Sequence, residues 1–264
     1  MSILYPEVEK LIHLRYLDLS GTRFIELPET ITNLYNLQTL MLNECYQLCE
    51  LPQGMGNLVN LRHLEIESTF SLRFLPQGIG RLSSLRSLCK FIVGGGCNIG
   101  ELKNLNLLQG KLEIMRLEGV TNKDEAKEAE IKNKQYLRDL RLSFKWKDSS
   151  ETSEVERIEG VLESLEPHGN LNELTIFSYI DSKFPRWMMS GTVLTNLRIL
   201  SVYRCNCVQL PFLESLERLE IWDMPKVKRI GNEFFLGIDS SNSVQRSLPK
   251  LESFVLERVN NLEE

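Results

Sequence analysis

Few features of this chain announce chemistry. Its 264 residues include only 3 histidines (His13, His63 and His168), far apart in sequence, and no Ser/His/Asp or Cys/His pattern has a recognisable local signature. The 6 cysteines (Cys45, Cys49, Cys89, Cys97, Cys205 and Cys207) form no disulfide framework, which points to a reducing compartment. Cys205-Asn206-Cys207 lacks a nearby second Cys/His pair that would complete a metal site, so both thiols are expected to be structural. The run Gly95–Glu101 approaches the phosphate-binding G-x-x-x-x-G-K-[S/T] loop but puts Glu101 where a lysine must neutralise phosphate. No apolar stretch nears the roughly 18 residues of a membrane span. Glu7, Glu9 and Lys10 stand where a signal peptide would be apolar, and no N-x-[S/T] sequon occurs. A net charge of −5 and a pI near 5.5 make a polyanion a poor default partner. These absences predict a cytoplasmic or nucleocytoplasmic protein that is not an enzyme. They also predict no cofactor, metal, nucleic acid, membrane or small-molecule substrate.

What the chain does have is repetition. LRYLDLSGT from Leu14, LQTLMLNEC from Leu37 and LRHLEIEST from Leu61 are near-copies of one line, starting 23 and 24 residues apart. That is the pattern and period of a leucine-rich repeat. The fold class expected is α/β: a curved, horseshoe-like solenoid with a parallel β-sheet on its concave face and short helices, turns and loops on its convex face. Each L-x-x-L-x-L forms a short strand whose alternate residues enter a shared core. Thr22, Cys45, Thr69 and Cys205 stand where the chain leaves the strand, and a short polar side chain there can satisfy backbone groups of adjacent coils. Pro28, Pro52 and Pro76 should begin convex helical turns, with Ile31, Met55 and Ile79 as inward plugs.

Residues 1–93 read as regular repeats and 94–264 as irregular ones, in a single continuous solenoid. Lys90 takes an apolar position and Gly94–Gly96 break the coil. A strand at Gly110–Val120 has an atypical approach, and further strands begin at Leu137, Leu171, Leu197, Leu216 and Leu251. Insertions fall near 121–135, 147–166 and 237–247. Thr121–Gln135, with acidic residues in its first turn and Glu128–Lys132 and Glu130–Lys134 pairs, reads as a solvent-facing helix. Lys147–Glu156 reads as a mobile polar loop, followed by a short helix with Ile158, Val161, Leu162 and Leu165 on its apolar face. Gly237–Ser247 reads as a second polar loop.

The irregular half carries a resemblance. LRSLCKFIVGG, IGELKNLNLLQGKLEI, EAKEAEIKNKQYLRDLRLSF, VLESLEPHGNLNELTI and KFPRWM are each similar to a segment of the leucine-rich-repeat region of plant coiled-coil nucleotide-binding resistance proteins, in that family's order. The resemblance implies a protein-interaction module of an intracellular immune receptor. Such a module senses a pathogen effector or a guarded host protein and restrains a nucleotide-binding switch domain. Its partner would then be the effector, the host protein or the receptor's own nucleotide-binding domain. Family members carry that domain before the repeats, whereas this chain opens within a repeat and stops one residue short of the family's N-L-E-E-W, so both solenoid ends are expected to be truncated. The alternative is a stand-alone cytosolic scaffold of the Ras-suppressor-like type, which would keep more constant repeat lengths.

The variable positions of L-x-x-L-x-L-x-x are the candidate binding residues, expected to face solvent from the concave sheet. They are Arg15, Tyr16 and Asp18; Gln38, Thr39 and Met41; Arg62, His63 and Glu65; and Asn172, Glu173 and Thr175. Arg198, Ile199, Ser201 and Tyr203, then Glu217, Arg218, Glu220 and Trp222, complete the set. Aromatic and arginine side chains on a rigid sheet are the types enriched at interface hot spots. Trp187 lies in a convex segment and is expected in the core.

Overall fold

The computed structural model describes residues 4–146, 151–207, 211, 213–226 and 249–259. Eleven strands follow one another through it: β1 (Tyr16–Asp18), β2 (Thr39–Met41), β3 (His63–Glu65), β4 (Ser87–Leu88), β5 (Lys90–Ile92), β6 (Gly110–Met115), β7 (Leu137–Ser143), β8 (Glu173–Phe177), β9 (Ile199–Tyr203), β10 (Arg218–Trp222) and β11 (Ser253–Glu257). They form a four-stranded sheet, β1 to β4, and a seven-stranded sheet, β5 to β11. Every pair is parallel and joins coils that follow each other in sequence. This is the expected solenoid. The central residue of each strand line, which opens its L-x-L alternation, turns inward, so Leu40, Leu64, Leu112, Leu140, Leu174 and Leu200 are all fully buried.

Of the residues that end the strands, the two cysteines reach an adjacent coil as expected, whereas the hydroxyls of the two threonines bond a carbonyl of their own coil. Thr22 and Thr69 hydroxyls donate to Leu19 O and Ile66 O, both at 2.7 Å. The Cys45 thiol reaches back one coil to Leu19 O at 3.2 Å, and Cys205 faces Ile176 O. Cys205 and Cys207 are fully buried, and burial pushes the Cys205 thiol up to about 12. On the convex side, 3-10 turns at Glu29–Asn33 and Gln53–Asn57 start directly after Pro28 and Pro52. The third turn, Ile79–Arg81, starts after Gly78 instead, two residues beyond Pro76. Ile31, Met55 and Ile79 are fully buried plugs. Adjacent coils approach so closely here that a Cβ on Gly80 would lie 2.4 Å from Glu101 O.

The two sheets part at Cys89, the one residue between β4 and β5. Backbone bonds still link this coil to the next, from Gln109 N to Arg86 O and from Glu113 N to Cys89 O, and side-chain contacts add to them. Lys90 Nζ donates to Thr69 O at 2.9 Å, and an Arg116 guanidinium N–H donates to Arg73 O at 3.2 Å. Gly94, Gly95 and Gly96 all have positive φ, and Gly95 lies flat against the Phe74 ring, where a Cβ would come within 2.3 Å.

The second half departs from the sequence reading in two places. Thr121–Gln135 is not one solvent-facing helix. Helix α1 covers only Lys123–Glu128, capped by the Asn122 side chain on the amides of Asp124 and Glu125. The chain then turns through left-handed Glu130 (φ 47) into a 3-10 turn at Ile131–Asn133. Coil packing overrides the charge pattern, because Ala126, Ala129, Ile131 and Lys134 are all buried. Glu130 pairs with Lys103 at 3.5 Å rather than with Lys134. Lys134 instead donates to Leu102 O at 2.6 Å and Asn106 Oδ1 at 3.2 Å, one coil back. Nor does a polar loop run to Glu156: helix α2 spans Thr152–Glu163, and residues 147–150 lie outside the described residues. Ile158, Val161, Leu162 and Leu165 are buried as expected. Helix α3 (Arg186–Met189) buries Trp187, whose indole N–H donates to Leu162 O at 3.1 Å. The expected loop at 237–247 lies outside the described residues.

Candidate protein-binding surface

Three short columns of side chains cross the seven-stranded sheet. Strand register aligns Lys111, Asp139, Glu173, Ile199, Arg218 and Ser253 in the first. Glu113, Arg141, Thr175, Ser201, Glu220 and Val255 form the second. In the third, Ser143, Phe177, Tyr203, Trp222 and Glu257 follow one another.

The third column contains an aromatic stair. Phe177 and Tyr203 stack with centroids 4.9 Å apart, and Tyr203 and Trp222 with centroids 5.8 Å apart. All three are half-buried. Their faces are covered by one another, so the column offers its ring edges, an apolar ridge, more than it offers a cation–π platform. Glu220 braces the stair: Oε2 accepts from both the Tyr203 hydroxyl and Ser201 Oγ, each at 3.1 Å. Burial and the neighbouring carboxylate push the Tyr203 phenol above its ordinary range. Among the described residues, the buried Trp222 indole nitrogen has no hydrogen-bond partner.

Beside the stair, Arg141 is gripped by Asp139, with Nη2 to Oδ2 at 3.0 Å and Nε to the same oxygen at 3.2 Å. Those bonds hold the guanidinium's pKa above its usual value, with Glu113 and Glu173 adding to the effect. Ser201 and Thr175 are a correction to the sequence reading. They share the concave face but are buried, at 6% and 8% exposure, because longer neighbours close over them. They are floor, not contact surface.

On the four-stranded sheet, Tyr16 is exposed and its hydroxyl lies 3.4 Å from Asp18 Oδ2. Asp18 also accepts from the Ser20 amide at 2.9 Å, and the bonds from Ser20 lower its pKa. Met41 sits between coils, its sulfur 2.8 Å from the Tyr16 hydroxyl. The fold also brings together a serine, a histidine and a carboxylate that the sequence keeps apart. His63 Nδ1 lies 3.0 Å from Ser87 Oγ, which donates to Glu65 Oε1 at 2.5 Å. The order is wrong for a nucleophile. The serine proton goes to Glu65, so the hydroxyl can only accept from His63, which fixes the Nδ1–H tautomer. A serine nucleophile must give its proton to the histidine. The geometry therefore orients His63 and does not activate Ser87.

Arg15, Arg62, Arg198 and Arg218 are exposed, and Gln38, Asn172, Glu173 and Glu217 are partly so. Sequence reasoning missed Phe177, Asp139, Arg141 and Arg86. The first three follow the same strand pattern and could have been found by extending it through TIF and LRDLRL. Arg86 stands at the position of Arg62 one coil on.

Stacked coils, parallel strands in sequence order and a variable concave face define a leucine-rich-repeat solenoid. Residues 99–224 match the family of R13L1/DRL21 LRRs. A disease resistance protein of Arabidopsis thaliana is 45% identical over 242 residues, covering 88% of this chain and 17% of that protein. Disease resistance protein RGA2 of Solanum bulbocastanum is 44% identical over 248 residues, covering 80% of this chain and 25% of that protein. An RPP13-like disease resistance protein of Arabidopsis thaliana is 43% identical over 235 residues, covering 84% and 22%. Among solved structures, a leucine-rich-repeat protein of Leptospira interrogans is 20% identical, covers 87% of this chain and 75% of its own, and has a TM-score of 0.39. The chain belongs with the leucine-rich-repeat regions of plant disease resistance proteins, and it spans a quarter or less of the length of these relatives.

Proposed function

We propose that this chain is the recognition module of an intracellular plant immune receptor, and that its concave sheet binds the protein whose presence or alteration the receptor senses. The observation that carries this reading is the identity of 43% to 45% with disease resistance proteins over most of the chain. The concave face supports it physically. It carries the half-exposed stair of Phe177, Tyr203 and Trp222 and the exposed Tyr16, all on a rigid ladder. A rigid platform loses little entropy on binding, so its contact energy goes into affinity. In a full-length receptor, binding that differs between resting and active states would shift a switch domain held elsewhere in the protein. Cytoplasmic action fits this role; among the described residues no helix is long and apolar enough to cross a membrane.

The test is a chimera in which this chain replaces the matching region of the Solanum bulbocastanum relative, expressed in leaves challenged with pathogen. Tyr16→Ala, Tyr203→Ala and Trp222→Ala together should abolish the defence response while accumulation of the protein is unchanged. Tyr35→Ala with Tyr136→Ala, exposed aromatics outside the strands, should leave it intact. Equal effects of the two sets would overturn the concave reading.

A further inference from the structure

The strand starts carry a charge pattern that bulk composition conceals. The residue after the first leucine of each L-x-x-L-x-L is, coil by coil, Arg15, Gln38, Arg62, Arg86, Gln109, Arg138, Asn172, Arg198, Glu217 and Glu252. Backbone hydrogen bonds fix this column. Gln38 N donates to Arg15 O, Arg62 N to Gln38 O, Arg86 N to Arg62 O and Gln109 N to Arg86 O, all at 2.7–2.8 Å. After a register shift at Gly110/Lys111 the line resumes, with Asn172 N to Arg138 O, Arg198 N to Asn172 O and Glu217 N to Arg198 O. From Arg15 to Arg198 the column holds five arginines and no acid, on a chain whose net charge is −5.

The five guanidiniums are not equally occupied. Arg138 donates to the backbone oxygens of Gln135, Leu137 and Asn170, and Arg198 lies 3.7 Å from Glu217. Arg15, Arg62 and Arg86 are exposed, and their guanidinium groups make no hydrogen bond or ion pair among the described residues. Arg62 and Arg86 stand on adjacent coils, about 4.8 Å apart at the backbone, where like charges repel. The nearest acids along the strands are already engaged: Asp18 accepts from Ser20, and Glu65 from Ser87.

We propose that this column is a docking rail for an extended acidic segment of a partner protein, lying across the strands at the edge of the concave face. The proposal rests on the concave-face reading and names the partner's chemistry. Seven coil steps from Arg15 to Arg198 span ~34 Å, the length of about ten extended residues. Carboxylates on one flank of such a segment meet the arginines. Its other flank faces the acids further along the strands, Asp18, Glu65, Glu113 and Glu220. A nucleic-acid strand fits less well, because it carries charge on its whole length and would be repelled by those acids.

The experiment uses the purified chain and a fluorescent decamer that alternates L-glutamate with L-serine, so that the extended segment carries carboxylates on one flank only, with a lysine decamer and a ten-nucleotide thymidine strand as comparators. The glutamate decamer should bind, with an affinity that falls as salt rises. Arg62→Gln with Arg86→Gln should weaken it by about tenfold or more, since rail charges govern encounter and orientation. Arg23→Gln, an exposed arginine off the column, should not change it. Unchanged melting curves establish that the double variant is folded. Absent binding, or equal loss in Arg23→Gln, overturns the rail; tighter binding of the thymidine strand, weakened by the same pair, reassigns it to nucleic acid. If the decamer fails while the concave aromatic variants still abolish the leaf response, only the rail falls. If the decamer binds while those variants are inert, the rail stands and the recognition reading falls.

Discussion

Glu101 illustrates how a residue's setting decides its meaning. In sequence it occupies the lysine position of a phosphate loop; in the fold its two carboxylate oxygens accept from Gly78 N at 2.9 Å and Gly80 N at 2.8 Å, so it joins two coils. Lys134 is the opposite case, a charge drawn into the core by the demand of Leu102 O and Asn106. Burial pulls its pKa from 10.5 down to about 8, with Glu130 opposing the shift. Below pH 8 the folded chain therefore carries a dehydrated ammonium group, at a cost to stability. Between about 8 and 10.5 the unfolded chain binds a proton that the folded chain has released, so stability contributed by this group rises with pH. Urea midpoints at pH 7 and pH 9.5 check this. The difference between wild type and Lys134→Met should move in favour of wild type at the higher pH, and parallel pH dependence in the two proteins would refute it.

At the scale of elements, the legible parts were those where one side chain per position repeats. The strand leucines, the Pro28 and Pro52 turns and the inward plugs follow directly from L-x-x-L-x-L and its period. The insertion at 121–135 was not legible, because its charge spacing suits a helix while Ala126, Ala129 and Ile131 must meet neighbouring coils. Only α1 survives as a helix there, and its start depends on one side chain. Asn122→Ala removes the acceptor for Asp124 N and Glu125 N and should cost about 1 kcal/mol in chemical denaturation, whereas Asn122→Asp keeps the cap and should cost little. Equal losses in both variants would mean that the cap contributes nothing. The concave site was legible as positions but not as an arrangement. Strand patterning located Tyr203 and Trp222, yet their stacking with Phe177, the bracing by Glu220 and the burial of Ser201 depend on neighbours 17 to 26 residues away.

For the whole molecule, stability should be distributed along the array, since each coil touches chiefly its neighbours. The parting at Cys89 makes that junction the natural limit for the spread of local unfolding. Leu40→Ala, at a fully buried position, should cost about 3 kcal/mol. Hydrogen exchange should then show protection lost from β1 to β4 and retained in β7 to β10. Uniform loss across both sheets would show that the joint transmits unfolding. The backbone bonds that link one strand start to the next have a consequence for descent as well as for folding. Because amides and carbonyls do most of the holding along that line, the letters written on it are largely free to drift. A lineage can revise that surface one residue at a time, and the scaffold beneath need not be reinvented.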